Sequence, residues 1–120
     1  DCVIGGRVGA PTFGQWKAVT LDTTDRRAVY LSEGLGHAFC ALEDDTTAMY
    51  LCTATYNPTG EHGIHPLDAE VGLTLPDGIE PLLSAKDEAA PTLADAAASG
   101  LLPTYAACTA WAATLAERPR

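Results

Sequence analysis

Gly9-Ala10-Pro11-Thr12-Phe13-Gly14-Gln15-Trp16-Lys17-Ala18-Val19-Thr20-Leu21-Asp22 is the stretch from which the fold class reads most directly. Its first part is turn chemistry, since Pro fixes φ and Gly admits φ > 0. Its second part is a strand. Trp16, Ala18 and, less cleanly, Thr20 share one face, and Val19 and Leu21 share the other. Apolar residues on both faces suit a barrel strand packed on two sides.

Working outward, Asp1 to Val8 reads as the end of a strand loosened by Gly5-Gly6. Downstream, short strands are expected over Ala28–Leu31, His37–Leu42 and Thr47–Tyr56, the last being the clearest because it is rich in Thr, Tyr, Leu and Met. They are separated by a polar turn at Thr23–Arg26, a two-glycine loop at Ser32–Gly36 and an acidic turn at Glu43–Thr46. Asn57-Pro58-Thr59-Gly60 is a further turn, followed by an irregular stretch over Glu61–Asp77. This rhythm predicts an antiparallel barrel or sandwich. The last third changes character. Thr92–Ala98 forms a helix, with Pro91 suited to its first turn and Gly100 to its stop. Pro103–Glu117 forms a second, with Tyr105, Cys108, Trp111 and Leu115 near helical period.

The chain has 120 residues, 47% apolar, enough for one domain with a modest core. Eight Pro and eleven Gly favour short elements and turns. A net charge of -9 repels phosphate backbones and argues against nucleic-acid binding, though a local Arg or Lys cluster can still hold a pyrophosphate. The basic residues include Arg7, Lys17, the pair Arg26-Arg27 and Lys86, with Arg118 and Arg120 in a tail expected to fray. No apolar run is long enough to span a bilayer. Cys2, Cys40, Cys52 and Cys108 fit no metal-binding spacing. They read as small core residues of a cytoplasmic protein, with disulfides left open by the even count. His62 and His65 make a His-x-x-His pair, but on an irregular loop without a third ligand, so no metal is expected. The sequence starts at Asp1 within an apolar run, which reads as a fragment, a processed chain or an expression product.

Five stretches, in order, resemble the dTDP-4-keto-6-deoxyglucose 3,5-epimerase family. Gly9–Trp16 is similar to its GSPTFG-x-W turn, Glu33–Phe39 to its EGFAHGF segment, and Met49–Pro58 to its Y-x-x-T-x-x-Y-x-P strand. Glu61-His62-Gly63-Ile64 with Leu67-Asp68 resembles its E-x-G-I…D loop, and Leu83-Ser84-Ala85-Lys86-Asp87 its LSAKD sequence. Gly100–Tyr105 most resembles members from antibiotic deoxysugar pathways. The resemblance implies a mainly β fold: a cupin-type double-stranded β-helix, or jelly-roll barrel, over residues 1–80. Two C-terminal helices would follow over 91–117, in a homodimer or paired with another chain, without cofactor or metal.

The implied reaction is epimerisation of a dTDP-4-keto-6-deoxyhexose at C3, C5 or both, through an enolate. A proton α to a ketone is weakly acidic, so its removal needs a tuned base and a group that stabilises the enolate oxygen. Inversion needs proton donor and acceptor on opposite ring faces. By the resemblance, Tyr50 is the catalytic proton donor and Asp87 the catalytic partner of the base His. His37 contacts the substrate and is the one motif-matched candidate for a substitute base, while Glu61 binds the nucleotide part. The same residues also read structurally: Tyr50 as a lining aromatic, Asp87 as a helix-start carboxylate, His37 as a strand-end residue and Glu61 as a solvated loop acid. The family's base His, enolate Lys and phosphate-binding Arg lie in N-terminal strands upstream of anything in these 120 residues. Gly5-Gly6 stands where the family usually has Asp and an aliphatic residue, and Thr55 where many members carry a second aromatic. Tyr50 and Asp87 are expected to face one shared cavity. The alternative is a repurposed homologue that binds a ligand or partner without epimerising it, or guides another biosynthetic reaction.

Overall fold

The computed structural model describes residues 1–116. Its centre is a three-stranded antiparallel sheet in the order β2-β1-β3, formed by β1 (Cys2–Gly5), β2 (Trp16–Ala18) and β3 (Leu35–Ala38). Val3 lies opposite Lys17 on one side and His37 on the other, and Ile4 lies opposite Trp16 and Gly36. Residues directly opposite share a face. One face therefore carries Ile4 and Trp16, the other Val3, Lys17 and His37.

The Ile4 face makes the core. Ile4, Val71 and Leu93 are its buried residues, with Phe13, Trp16, Ile64, Leu73 and Leu102 packed against them. The glycines of the opening turn are structural. A Cβ at Gly5 would collide with the Thr12 carbonyl oxygen, because the Gly5 amide donates to Gln15 O and the Gly14 amide donates to Gly5 O, both at 2.9 Å. The departure Gly5 thus permits a close backbone approach that any side chain would block.

Three helices follow: α1 (Ala85–Glu88), α2 (Leu93–Ala98) and α3 (Tyr105–Ala116). The two expected helices are α2 and α3. α1 was not expected as an element, though Asp87 also reads as a helix-start carboxylate; its N-cap is Ser84, whose Oγ accepts from the Asp87 amide at 3.2 Å and donates to Asp87 Oδ2 at 2.7 Å. Thr92 and Asp95 repeat that arrangement at α2. α2 ends in a Schellman motif, with Gly100 N donating to Ala97 O, Leu101 N donating to Ala96 O, and Gly100 at φ 73°. Glu117, the expected end of the last helix, lies outside the described residues, as do Arg118 and Arg120.

The strand expectations over Ala28–Leu31 and Thr47–Tyr56 are not met, and the one over His37–Leu42 is shifted to Leu35–Ala38. The reason is the lack of a partner. Among the described residues, 39–56 make no backbone–backbone hydrogen bond, and a strand is defined by such bonds. Their apolar side chains stand in solvent, Met49 at 90% and Leu51 at 96% exposure. Among the described residues, then, the architecture is an antiparallel sheet followed by helices, without barrel closure.

Candidate active site

The sheet face opposite the core is open. A hollow of about 450 Å³ lies over it, lined by Val3, Gly5, Gln15, Lys17, Val19 and Leu35 among others. His37 is on this face by register, and its Nδ1 stands 3.3 Å from Asp1 Oδ2. The Asp1 side chain is 15% exposed and that of His37 37%. Asp1 Oδ1 is buried without a hydrogen-bond partner, and the Asp1 main-chain nitrogen is fixed to Val19 O at 2.9 Å. A carboxylate, an imidazole and an ammonium thus share one side of the sheet. Sequence reading had singled out His37 there. Asp1 was missed because its pairing depends on strand register, and Lys17 was read as charge alone.

The other expected residues lie elsewhere. Tyr50 is 72% exposed and makes no hydrogen bond among the described residues. Asp87 is exposed at the start of α1, where its carboxylate is engaged by Ser84. Neither is among the residues that line the two hollows, over the sheet and beside α3. One contact does join their segments: Lys86 Nζ stands 6.0 Å from the centre of the Tyr56 ring. Glu61 closes the Asn57–Gly60 turn, its Oε1 accepting the Asn57 amide at 3.0 Å. Arg26 and Arg27 tie down a turn, donating to Thr23 O and Thr20 O, with Arg27 also 3.4 Å from Asp25.

Asp68 is the buried polar residue of the described structure. Its Oδ2 accepts the Leu93 amide at 2.8 Å and its Oδ1 the Glu70 amide at 3.0 Å. Within the same loop His65 Nδ1 accepts the Leu67 amide at 3.1 Å, and the His65 amide donates to Pro91 O at 2.8 Å. A second hollow, of about 330 Å³, lies between the 33–34 loop and α3 and is lined by Glu33, Gly34, Pro103, Ala107, Cys108 and Trp111. Arg7 stacks beside it, its guanidinium carbon 5.3 Å from the Tyr105 ring centre. Among the described residues no group of three or more His, Cys, Asp or Glu is placed to hold a metal ion. No helix there is long and apolar enough to cross a membrane.

Comparison with known proteins places these features in context. The family profile described as dTDP-4-dehydrorhamnose 3,5-epimerase matches residues 1–95. A dTDP-4-dehydrorhamnose 3,5-epimerase of Mycolicibacterium smegmatis is 56% identical over 115 residues, which are 96% of this chain and 56% of that protein. The crystal structure of ChmJ, a 3'-monoepimerase from Streptomyces bikiniensis in complex with dTDP-quinovose, superposes with a TM-score of 0.86. It is 51% identical over 94% of this chain and 56% of its own. NovW, a 4-keto-6-deoxy sugar epimerase from the novobiocin biosynthetic gene cluster of Streptomyces spheroides, gives 0.82 at 51% identity over 89% of this chain and 53% of its own. The chain spans a little over half the length of these relatives.

Proposed function

Because this chain belongs to the dTDP-4-dehydrorhamnose 3,5-epimerase family, we propose that it takes part in epimerising a dTDP-4-keto-6-deoxyhexose at C3, at C5 or at both, in deoxysugar biosynthesis. The observation that carries this reading is the match over nearly the whole chain, at 51% identity, to a 3'-monoepimerase holding dTDP-quinovose. Agreement at that level, with the quoted sequence stretches in order, makes a different substrate class a poor fit.

In this reading the ketone acidifies the neighbouring C–H. A His base removes that proton, and the negative charge moves to the carbonyl oxygen. Tyr50 returns a proton to the opposite ring face, Asp87 charges and orients the base, and His37 and Glu61 hold the substrate. Tyr50 comes into play once residues 39–56 gain sheet partners and close a jelly-roll barrel of the cupin type. A second copy of the chain, as in a homodimer, or another polypeptide supplies those partners, and the reaction runs in the cytoplasm without a cofactor. The test is incubation with dTDP-4-keto-6-deoxyglucose in heavy water. Deuterium at C3 or C5 supports epimerase chemistry, and no deuterium at either contradicts it for this chain.

One observation favours a second reading, a barrel homologue that binds a ligand or partner without epimerising it. Tyr50 is largely in solvent and the Asp87 carboxylate accepts the hydroxyl of Ser84, the N-cap of its own helix. Saturable binding of dTDP-quinovose in the absence of exchange supports that reading, and exchange sinks it.

A further inference from the structure

We propose that Asp1 and His37 work as a unit on the open face of the sheet, Asp1 as a positioning residue and His37 Nε2 as the polar atom offered to the sugar. This rests on the epimerase reading and deepens it, because it gives the substrate-contacting His a fixed tautomer and a partner.

Three observations carry it. First, strand pairing puts the two side chains together. His37 lies opposite Val3, and Asp1 precedes Val3 by two residues, so period-two alternation sets both on one face. Second, Nδ1 is the nitrogen that meets the carboxylate, at 3.3 Å. That distance lies at the long edge of the hydrogen-bonding range. An Nδ1–H donating to a carboxylate leaves the lone pair on Nε2, the arrangement in which an imidazole accepts a proton or a hydroxyl hydrogen. Among the described residues Nε2 makes no hydrogen bond. Third, the carboxylate is largely buried and its Oδ1 lacks a partner. An acid carboxylate held this way is costly unless a donor faces it, and His37 Nδ1 is the group that faces it here.

The surroundings fit a sugar ring better than a second protein surface. The hollow lined by Val3 and Lys17, the residues that strand register sets on the same face as His37, is about 450 Å³, within the range of small-ligand sites. Lys17 stands across Val3 from His37 and supplies a cation on the same side. Val3, Val19 and Leu35 give the apolar lining against which the carbon face of a deoxysugar can pack.

The experiment uses the full chain labelled with nitrogen-15 at histidine. Long-range proton–nitrogen spectra at a pH where His37 is neutral report which nitrogen carries the hydrogen. The result expected is predominantly Nδ1–H in the wild type and predominantly Nε2–H in Asp1→Ala. On the activity side, Asp1→Ala lowers C3 or C5 exchange about tenfold, as losing the carboxylate partner of a working His does. His37→Gln lowers it about a hundredfold. An Nε2–H tautomer in the wild type, or a tautomer unchanged by Asp1→Ala, overturns the proposal. So does full exchange activity in both variants. If the wild type exchanges nothing, the epimerase reading fails, and the tautomer spectra still decide whether the pair exists.

Discussion

The carboxylate of Asp68 accepts the main-chain amide of Leu93 at 2.8 Å, across 25 residues of sequence. Leu93 is the first residue of α2 and part of the core, so this bond fixes the loop after Glu61 to the helix that closes the structure. A buried carboxylate that satisfies two amides, one at a helix start, stabilises by charge-assisted hydrogen bonding and by the helix dipole. Asp68→Ala is expected to cost about 3 kcal/mol by urea denaturation. Asp68→Asn, which keeps one accepting oxygen, should cost clearly less. Equal effects of the two would contradict this role.

Gly5 faces the Thr12 carbonyl so closely that a Cβ cannot fit without moving backbone. Gly5→Ala should therefore lower stability by about 1–3 kcal/mol. Gly9→Ala, at an exposed turn position with φ 84° and open space around a Cβ, tests strain alone and should cost about 1 kcal/mol. Thermal melts of both variants check the order of the two effects.

Lys86 and Tyr56 join the Tyr50 segment to α1. Lys86 methylene protons should show upfield ring-current shifts that survive in Tyr56→Phe and vanish in Tyr56→Leu. The stability change should stay within about 1 kcal/mol, as for exposed cation–π pairs. Unshifted Lys86 protons in the wild type would show that the contact does not form in solution.

The unpaired segment 39–56 exposes Phe39, Leu42, Met49, Leu51 and Tyr56. Unpaired backbone with apolar side chains is a template for another strand. Sedimentation at rising concentration should reveal association, reduced when Met49 and Leu51 are both replaced by Lys. A monomer at all concentrations would contradict the pairing expected of this segment.

The sheet and the helices were legible where local chemistry and partner lay in the same chain. The Pro11-Thr12 turn returns Trp16 onto Ile4, and Gly100 stops α2, although Thr92 is its N-cap rather than its first residue and Pro91 lies before that cap rather than in the first turn. Thr47–Tyr56 reads as a strand with equal clarity, yet alternation only states a preference that a partner must satisfy. The site divides the same way. His37 was found from a sequence stretch, whereas Asp1 becomes visible only through the β1–β3 register. Asp68 was part of a recognised stretch, but its bond to Leu93 is a tertiary fact that no local pattern encodes. Asp87 was read both as dyad partner and as helix-start acid, and its contact with Ser84 is the second of these.

Two-faced proton transfer separates abstraction from inversion, and Tyr50→Phe in heavy water measures both at once. With dTDP-4-keto-6-deoxyglucose, nuclear magnetic resonance reads deuterium at C3 and C5 and the configuration of each carbon. The result expected is deuterium entering with retained configuration while inversion falls by about a hundredfold or more. Inversion at the wild-type rate in Tyr50→Phe would contradict the assignment of Tyr50 as the proton donor.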